Sequence, residues 1–237
     1  MSSPSESKTS SKKPVVSPDD ERWERHKANF KTIGGAVLLA LFIRIVLFEA
    51  FEIDGPSMEP SLLHGDRVVV SKFVYGLFLP FTHEAVLTWG LPDHGDVVIV
   101  HSPADNIDIV KRVIGLPGDT VEVRDDVVYV NDEAIMSRSG LTCMRDGMTE
   151  PNCEWTEERL GEHDWHTSHS PLTPPSSEPL VTVPDGHIFV MGDHRDRSND
   201  SRDIGMIPSN RIKGRAMAIY WSNDGEVRWN RMFRAID

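Results

Sequence analysis

The sequence predicts a mostly β protein that follows a single N-terminal membrane-spanning helix. Three observations lead to this prediction. One apolar segment lies near the N-terminus, between Lys31 and Arg44. After it, short runs of β-branched residues alternate with turn signals such as Pro117-Gly118-Asp119. Neither an internal repeat nor a long amphipathic pattern interrupts them. We predict strands at 67–70, 96–100, 107–114, 120–124, 127–130, 180–183, 187–191, 215–220 and 226–229.

Charge is distributed unevenly along the 237 residues, a length that suffices for one or two small domains. The net charge of -12 argues against nucleic acid as a partner. Residues 1–31 nevertheless carry a charge of +2, because Arg22, Arg25, Lys27 and Lys31 precede the apolar segment. By the positive-inside rule the N-terminus stays in the cytoplasm and the remainder is exported.

The apolar segment is short, because only 12 uncharged residues separate Lys31 from Arg44, whereas a spanning helix uses about 20. A cleavable signal peptide has a core of that length. The long leader and the lack of a small-x-small site favour an anchor, and snorkelling of Lys31 and Arg44 lengthens the span. We predict a disordered cytoplasmic tail at 1–27 and a transmembrane anchor at 28–48.

An insertion is predicted in the second half of the chain. Residues 137–177 lack periodicity and are rich in Ser, Thr, Pro and Glu, which favours long loops. We place an inserted domain at 120–186, between the two parts of a β domain at 49–119 and 187–237. Cys143 and Cys153 fall in the insertion with a spacing unlike C-x-x-C. In an exported domain a disulfide is favoured over two free thiols.

Ser57 is a candidate nucleophile because it lies in a stiff loop directly after the apolar segment. Pro56 and Pro60 fix their own φ angles and push the residues before them towards extended conformations. The nucleophile elbow G-x-S-x-G is incomplete, since Gly55 fits but Glu59 occupies the second glycine position.

Lys111 is the candidate general base. On the strand 107–114 it shares a face with Ile107, Ile109 and Val113. An ammonium on an apolar face is costly, so its pKa should fall and a neutral amine should become available. The alternative is a lysine whose stem packs while its head reaches water or an acid.

A third polar block covers residues 189–208. A solvated charged loop is one interpretation. A metal site on Asp193, His194 and Asp196 is another, although the neighbouring arginines would repel a divalent ion. The spacing His163-x-x-His166-x-x-His169 also suits a metal. We predict neither a metal nor a cofactor.

Four sequence blocks resemble the motifs of the type I (leader) signal peptidases, in the same order. They are Ser57-Met-Glu-Pro-Ser-Leu62, Gly95-Asp-Val-Val98, Lys111-Arg-Val-Ile-Gly-Leu-Pro-Gly-Asp119 and Gly192-Asp-His-Arg-Asp-Arg-Ser-Asn-Asp-Ser-Arg202. The resemblance implies a signal-peptidase-like β catalytic domain with an inserted β/loop domain, preceded by one N-terminal transmembrane helix.

The resemblance also implies roles for individual residues. Ser57 would attack the scissile carbonyl, Lys111 would take its proton, and Ser198 would orient the lysine. The backbone N–H of Ser57 would serve the oxyanion, whereas Gly55 leaves the second donor open, and His194 replaces the family's asparagine. A supporting charge network is expected from Arg112, Asp193, Asp200 and Arg202, and shallow apolar substrate pockets are expected from Ile53, Met58, Leu62 and Ile109.

The expected function is the removal of N-terminal signal peptides from exported preproteins, after small-x-small residues. The enzyme would act on the outer face of the bacterial cytoplasmic membrane, with preproteins and membrane lipid as partners. Self-cleaving SOS repressors share Ser-Lys chemistry, but the anchor and the acidic exported portion disfavour that class. A non-enzymatic, membrane-anchored binding module that keeps the fold is the other alternative. The joint presence of Ser57, Lys111 and Ser198 argues against it.

Overall fold

The computed structural model describes residues 18–42, 47–78, 82, 84–145 and 148–236. The chain separates into two compact units, one ending at Phe42 and the other beginning at Ile43. The elements are α1 (Pro18–Phe42), β1 (Phe48–Glu52), β2 (Asp66–Ser71), β3 (Gly76–Leu77), β4 (Leu87–Thr88), β5 (Val97–His101), β6 (Asp108–Gly115), β7 (Thr120–Arg124), β8 (Val127–Val130), β9 (Glu133–Ala134), β10 (Met136–Arg145), β11 (Met148–Leu160), β12 (His163–His169), β13 (Glu178–Thr182), β14 (His187–Met191), α2 (Ser201–Ile204), β15 (Ile207–Pro208), β16 (Ile212–Asp224), β17 (Glu226–Val227) and β18 (Arg234–Ala235).

The first unit contains the helix α1, which begins ten residues before the predicted anchor. Pro18 suits the first helical turn, because its fixed φ is close to that of a helix. The predicted disordered tail is therefore helical over 18–27, while its residues 1–17 lie outside the described part. Residues 43–46 of the predicted anchor also lie outside it, and β1 already includes Phe48. Across the residues that the structure describes, no helix is both long and apolar enough to cross a membrane.

The main sheet runs in the order β1-β2-β16-β5-β6-β14-β15, and β17 and β18 pair with β16. Neighbouring strands are antiparallel. β5 is buried along its whole length and β6 along most of it, because both lie inside the sheet and are covered on both faces. The prediction of a mostly β chain is confirmed. The strand predicted at 107–114 begins one residue later, and Ile107 is exposed.

Two smaller sheets are built from residues of the predicted insertion. One has the order β13-β7-β8-β9 and the other β10-β11-β12. β7 and β8 have the bounds predicted from the sequence, and the two residues between them, Asp125 and Asp126, both have positive φ. That backbone conformation is typical of the two-residue turn that joins the strands of a β-hairpin.

The prediction of long loops over residues 137–177 is wrong. Most of that stretch forms the antiparallel sheet β10-β11-β12. Bulges shift the register between β10 and β11, so that the two-residue alternation is interrupted. On β12, Trp165 and Thr167 are buried while His166 between them is exposed. The buried positions are mostly polar, and an apolar pattern therefore does not reveal the strand.

A disulfide joins Cys143 on β10 to Cys153 on β11, with 5.7 Å between their Cα atoms. It links two strands of the same hairpin. The two cysteines are therefore brought together by the pairing of β10 with β11 in the sheet β10-β11-β12.

Candidate active site

The loop that carries Ser57 comprises residues 53–65, between β1 and β2, and is called here the nucleophile loop. Its ends are joined by hydrogen bonds from Ile53 N to Asp66 O and from Gly65 N to Ile53 O, of 2.8 and 3.0 Å. Met58 and Leu62 are fully buried in an apolar cluster with Val110 of β6. This burial draws the loop across the sheet towards the strand that carries Lys111.

Ser57 and Lys111 are in contact. The Oγ of Ser57 lies 2.9 Å from the Nζ of Lys111, which also donates to Val110 O at 3.0 Å. Only 3% of Lys111 is exposed. Burial lowers the pKa of Lys111 from 10.5 to about 8; Asp200 and Asp193 act in the opposite direction, and Arg202 adds to the lowering. A substantial neutral fraction near pH 8 allows this amine to accept the hydroxyl proton.

Gly192 packs closely against both Ser57 and Ser198. A Cβ at this position would come within 2.2 Å of Ser198 Oγ and within 2.4 Å of the carbonyl oxygen of Ser57. Only a residue without a side chain fits here. The next loop residues add a hydrogen bond of 3.1 Å from His194 N to Ser57 O. The loop after β14 therefore packs directly on the nucleophile loop.

The four residues predicted as a charge network form two separate buried pairs. Arg112 makes a forked contact with Asp193, with Nε–Oδ1 and Nη2–Oδ2 distances of 2.8 Å. Arg202 makes a similar contact with Asp200, at 2.9 and 2.8 Å. Burial would raise the pKa of Asp200, but the hydrogen bonds and charge of Arg202 bring it below its usual value. Each carboxylate is thus compensated by its own guanidinium.

The four residues suggested as pocket linings differ in their surroundings. Ile53, Met58 and Leu62 are buried in the main core, and Ile109 is half-buried beside a second apolar cluster. Ile109 therefore offers more free surface than the other three.

Gly55, two residues before the candidate nucleophile, has φ +99° and donates its N–H to His64 Nδ1 at 3.3 Å. It carries no side-chain donor, so the structure leaves a second oxyanion donor unassigned.

Comparison with known proteins identifies the family. The model of the family "Signal peptidase, peptidase S26" matches residues 26–221, well over half of the chain. The chain belongs to this signal peptidase family. It is 36% identical over 206 residues to the signal peptidase I of Pseudomonas aeruginosa, covering 81% of this chain and 71% of the relative. It is 33% identical over 192 residues to the signal peptidase I of Bacillus licheniformis, covering 81% and 86%.

One solved relative is a signal peptidase I from Enterococcus faecalis. It is 29% identical, covers 54% of this chain and 98% of its own, and superposes with a TM-score of 0.33. The family assignment rests on the sequence matches. They confirm the resemblance that the four sequence motifs indicated.

Three residues of the smaller sheet β10-β11-β12 also contact the signal peptidase motifs, and sequence reasoning missed them. Trp165 lies against Arg112, whose Cζ is 4.7 Å from the ring centroid. The indole N–H of Trp165 donates to Glu158 Oε2 at 3.1 Å. Ser168 Oγ donates to Glu59 O at 3.0 Å. All three lie in the stretch predicted as loop, where no apolar alternation marked them.

A cleft of about 970 Å³ lies beside the nucleophile loop. Its walls include Pro56, Glu59, Pro60, Trp155, His166 and Ser168. Neither Ser57 nor Lys111 belongs to its lining, so the cleft is distinct from the immediate surroundings of their contact.

The two metal sites considered from the sequence are not assembled in the described part of the chain, where no group of three His, Cys, Asp or Glu side chains could hold an ion. On β12, His163 and His169 share a face while His166 lies on the other, because side chains alternate along a strand. The carboxylate of Asp193 instead forms a buried ion pair with the guanidinium of Arg112.

Proposed function

We propose that this chain is a serine endopeptidase that removes N-terminal signal peptides from exported preproteins, with Ser57 as nucleophile and Lys111 as general base. The observation that carries the proposal is the 2.9 Å contact between Ser57 Oγ and a Lys111 amine whose pKa is lowered to about 8. Membership of the signal peptidase family supports the substrate class.

The chemistry follows from this contact. Neutral Lys111 takes the proton of Ser57 Oγ as the oxygen attacks the scissile carbonyl. The backbone N–H of Ser57 stabilises the oxyanion. The ammonium of Lys111 then protonates the leaving amine, which frees the mature protein and leaves an acyl ester on Ser57. Lys111, neutral again, activates the water that hydrolyses the ester.

Ser198 and the two ion pairs have supporting roles in this proposal. Ser198 Oγ and the carbonyl oxygen of Ser57 both face the position where a side chain of Gly192 would stand, so Ser198 lies close to the nucleophile loop. Orientation of Lys111 is the role that the family motif implies for it. Asp193 and Asp200, each held by an arginine, set the field around the amine. Ile109 is the favoured pocket lining, since Ile53, Met58 and Leu62 lie deeper in the core.

We propose a single-pass anchor at 28–48 in the bacterial cytoplasmic membrane, with residues 49–119 and 187–237 as an extracytoplasmic catalytic domain and 120–186 as its insertion. The basic residues before the apolar segment and the disulfide in the insertion support an exported orientation.

The test is cleavage of a purified preprotein by the full chain in detergent. Wild type should release a mature protein whose N-terminus, read by mass spectrometry, follows a small-x-small sequence, and Ser57→Ala should not. Ser137→Ala is a matched control, because it also removes one serine hydroxyl, which donates to Glu157 O within the sheet β10-β11-β12. Equal cleavage by wild type and Ser57→Ala would overturn the proposal, and so would cleavage at unrelated sites.

A further inference from the structure

Ser168 of β12 connects the two loops that surround the dyad. Its backbone N–H donates to Asp193 O at 2.8 Å, and a parallel bridge pairs it with His194. Its hydroxyl donates to the carbonyl oxygen of Glu59 at 3.0 Å. Glu59 is two residues after Ser57 on the nucleophile loop. One residue of the smaller sheet thus contacts the backbone of both loops.

The position of β12 is itself well fixed. Trp165, three residues before Ser168, donates its indole N–H to Glu158, and Glu158 forms a buried ion pair with Arg195. The same indole ring packs on the guanidinium of Arg112. A buried carboxylate with two donors and a stacked arginine are costly to displace. Ser168 is therefore presented to the loops by a rigid strand.

We propose that Ser168 is a positioning residue, which holds the nucleophile loop in the place where Ser57 Oγ meets Lys111. The inference rests on the proposed function, since it assigns a role in the same reaction. Ser168 is 3% exposed, and its hydroxyl links β12 directly to the carbonyl oxygen of Glu59 in the wall of the cleft beside the nucleophile loop. Without this hydrogen bond the carbonyl group of Glu59 loses its link to β12 and the nucleophile loop can shift. Small displacements of reacting atoms lower a reaction rate strongly.

The test compares Ser168→Ala with Thr167→Val. Thr167 is the neighbouring buried residue, and its hydroxyl donates to Thr156 O inside the sheet at 3.4 Å. Both changes remove one buried hydroxyl from β12, but only the first removes a contact with the nucleophile loop. We expect kcat of Ser168→Ala to fall by about three- to tenfold, the value of one hydrogen bond, with KM unchanged. Thr167→Val should keep wild-type kcat.

The pH profile separates positioning of the serine from a change at the lysine. The midpoint of the acid limb should stay near that of wild type in Ser168→Ala, because the Lys111 environment is retained, while the plateau drops. Thermal unfolding of both variants is measured first. If Ser168→Ala is unfolded at the assay temperature, Ser168→Cys replaces it, since a thiol keeps the size and is only a weak donor.

The outcomes distinguish the positioning role of Ser168 from the proposed function. Equal kcat for Ser168→Ala and Thr167→Val would overturn the inference while leaving the proposed function intact, provided that wild type cleaves and Ser57→Ala does not. A shifted acid limb would also overturn it, because the residue would then act on Lys111. A wild type that cleaves no preprotein would overturn the proposed function and the inference with it.

Discussion

The hydroxyl of Ser57 lies 2.9 Å from the amine of Lys111, although 54 positions separate the two residues in the chain. In the main sheet, β2, β16 and β5 lie between β1, which leads into the nucleophile loop, and β6, which carries the lysine. The loop reaches β6 because Met58 and Leu62 bury their side chains in the same cluster as Val110. Hydrophobic burial next to each reactive group therefore creates the contact.

The contact predicts that Ser57 and Lys111 act as a unit. Ser57→Ala and Lys111→Ala should each reduce kcat/KM by several orders of magnitude, and the double variant should lose little more, because either change alone disables the same proton transfer. Single-turnover kinetics on a preprotein measure all three. Independent, multiplicative losses, or near-normal turnover by either single variant, would contradict the assignment.

The pH dependence follows from the buried amine. Activity should rise with pH along a limb centred near 8, where Lys111 loses its proton. Lys111→Arg should be inactive across the range, because a guanidinium stays protonated. The check is a profile of kcat/KM against pH. An acid limb near pH 4, or an active arginine variant, would show that another group is the base.

The same pKa predicts a stability effect with a definite sign. The folded-state pKa lies below the ordinary value of 10.5, so the cost of protonating buried Lys111 is present in full below pH 8 and vanishes as the pH rises towards 10.5. Lys111→Met removes this charge and should raise the free energy of unfolding at pH 7 by up to about 3 kcal/mol relative to wild type. Denaturant titrations at pH 7 and pH 10 measure the change, which should shrink at the higher pH. A gain that does not depend on pH would contradict the burial argument.

Gly192 is expected to tolerate no side chain. Gly192→Ala would place a Cβ within 2.4 Å of the Ser57 carbonyl oxygen, a backbone atom that cannot rotate away. The variant should fold less stably and lose most of its kcat. Gly34→Ala is the matched control, since a Cβ there meets nothing within 4 Å. Comparable activity of the two variants would show that the loop after β14 yields without disturbing the dyad.

The sequence revealed the reactive residues better than it revealed the residues that hold them. The prolines beside Ser57 and the apolar strand face around Lys111 are local features of the chain. Local features of this kind can be recognised in a single sequence. Trp165 and Ser168 owe their importance to the pairing of β12 with β11 and to contacts with loops far away in sequence. Polar residues at buried positions leave no apolar periodicity, so the sequence predicts a loop where the structure has strands.

A last prediction concerns the disulfide. Cys143 and Cys153 close a loop with a sequence separation of 10, which corresponds to about 2.5–3 kcal/mol in the chain-entropy treatment. The double variant Cys143→Ser/Cys153→Ser should lose about that much free energy of unfolding in urea, and reduction of wild type should do the same. Catalysis should be largely spared, because the contacts of this sheet with the signal peptidase motifs are made by Glu158, Trp165 and Ser168, none of which lies between the two cysteines. Wild type with its disulfide intact is the reference for both measurements. A variant that is as stable as wild type, or one that folds but no longer cleaves, would show that the hairpin β10–β11 has a different part in the enzyme.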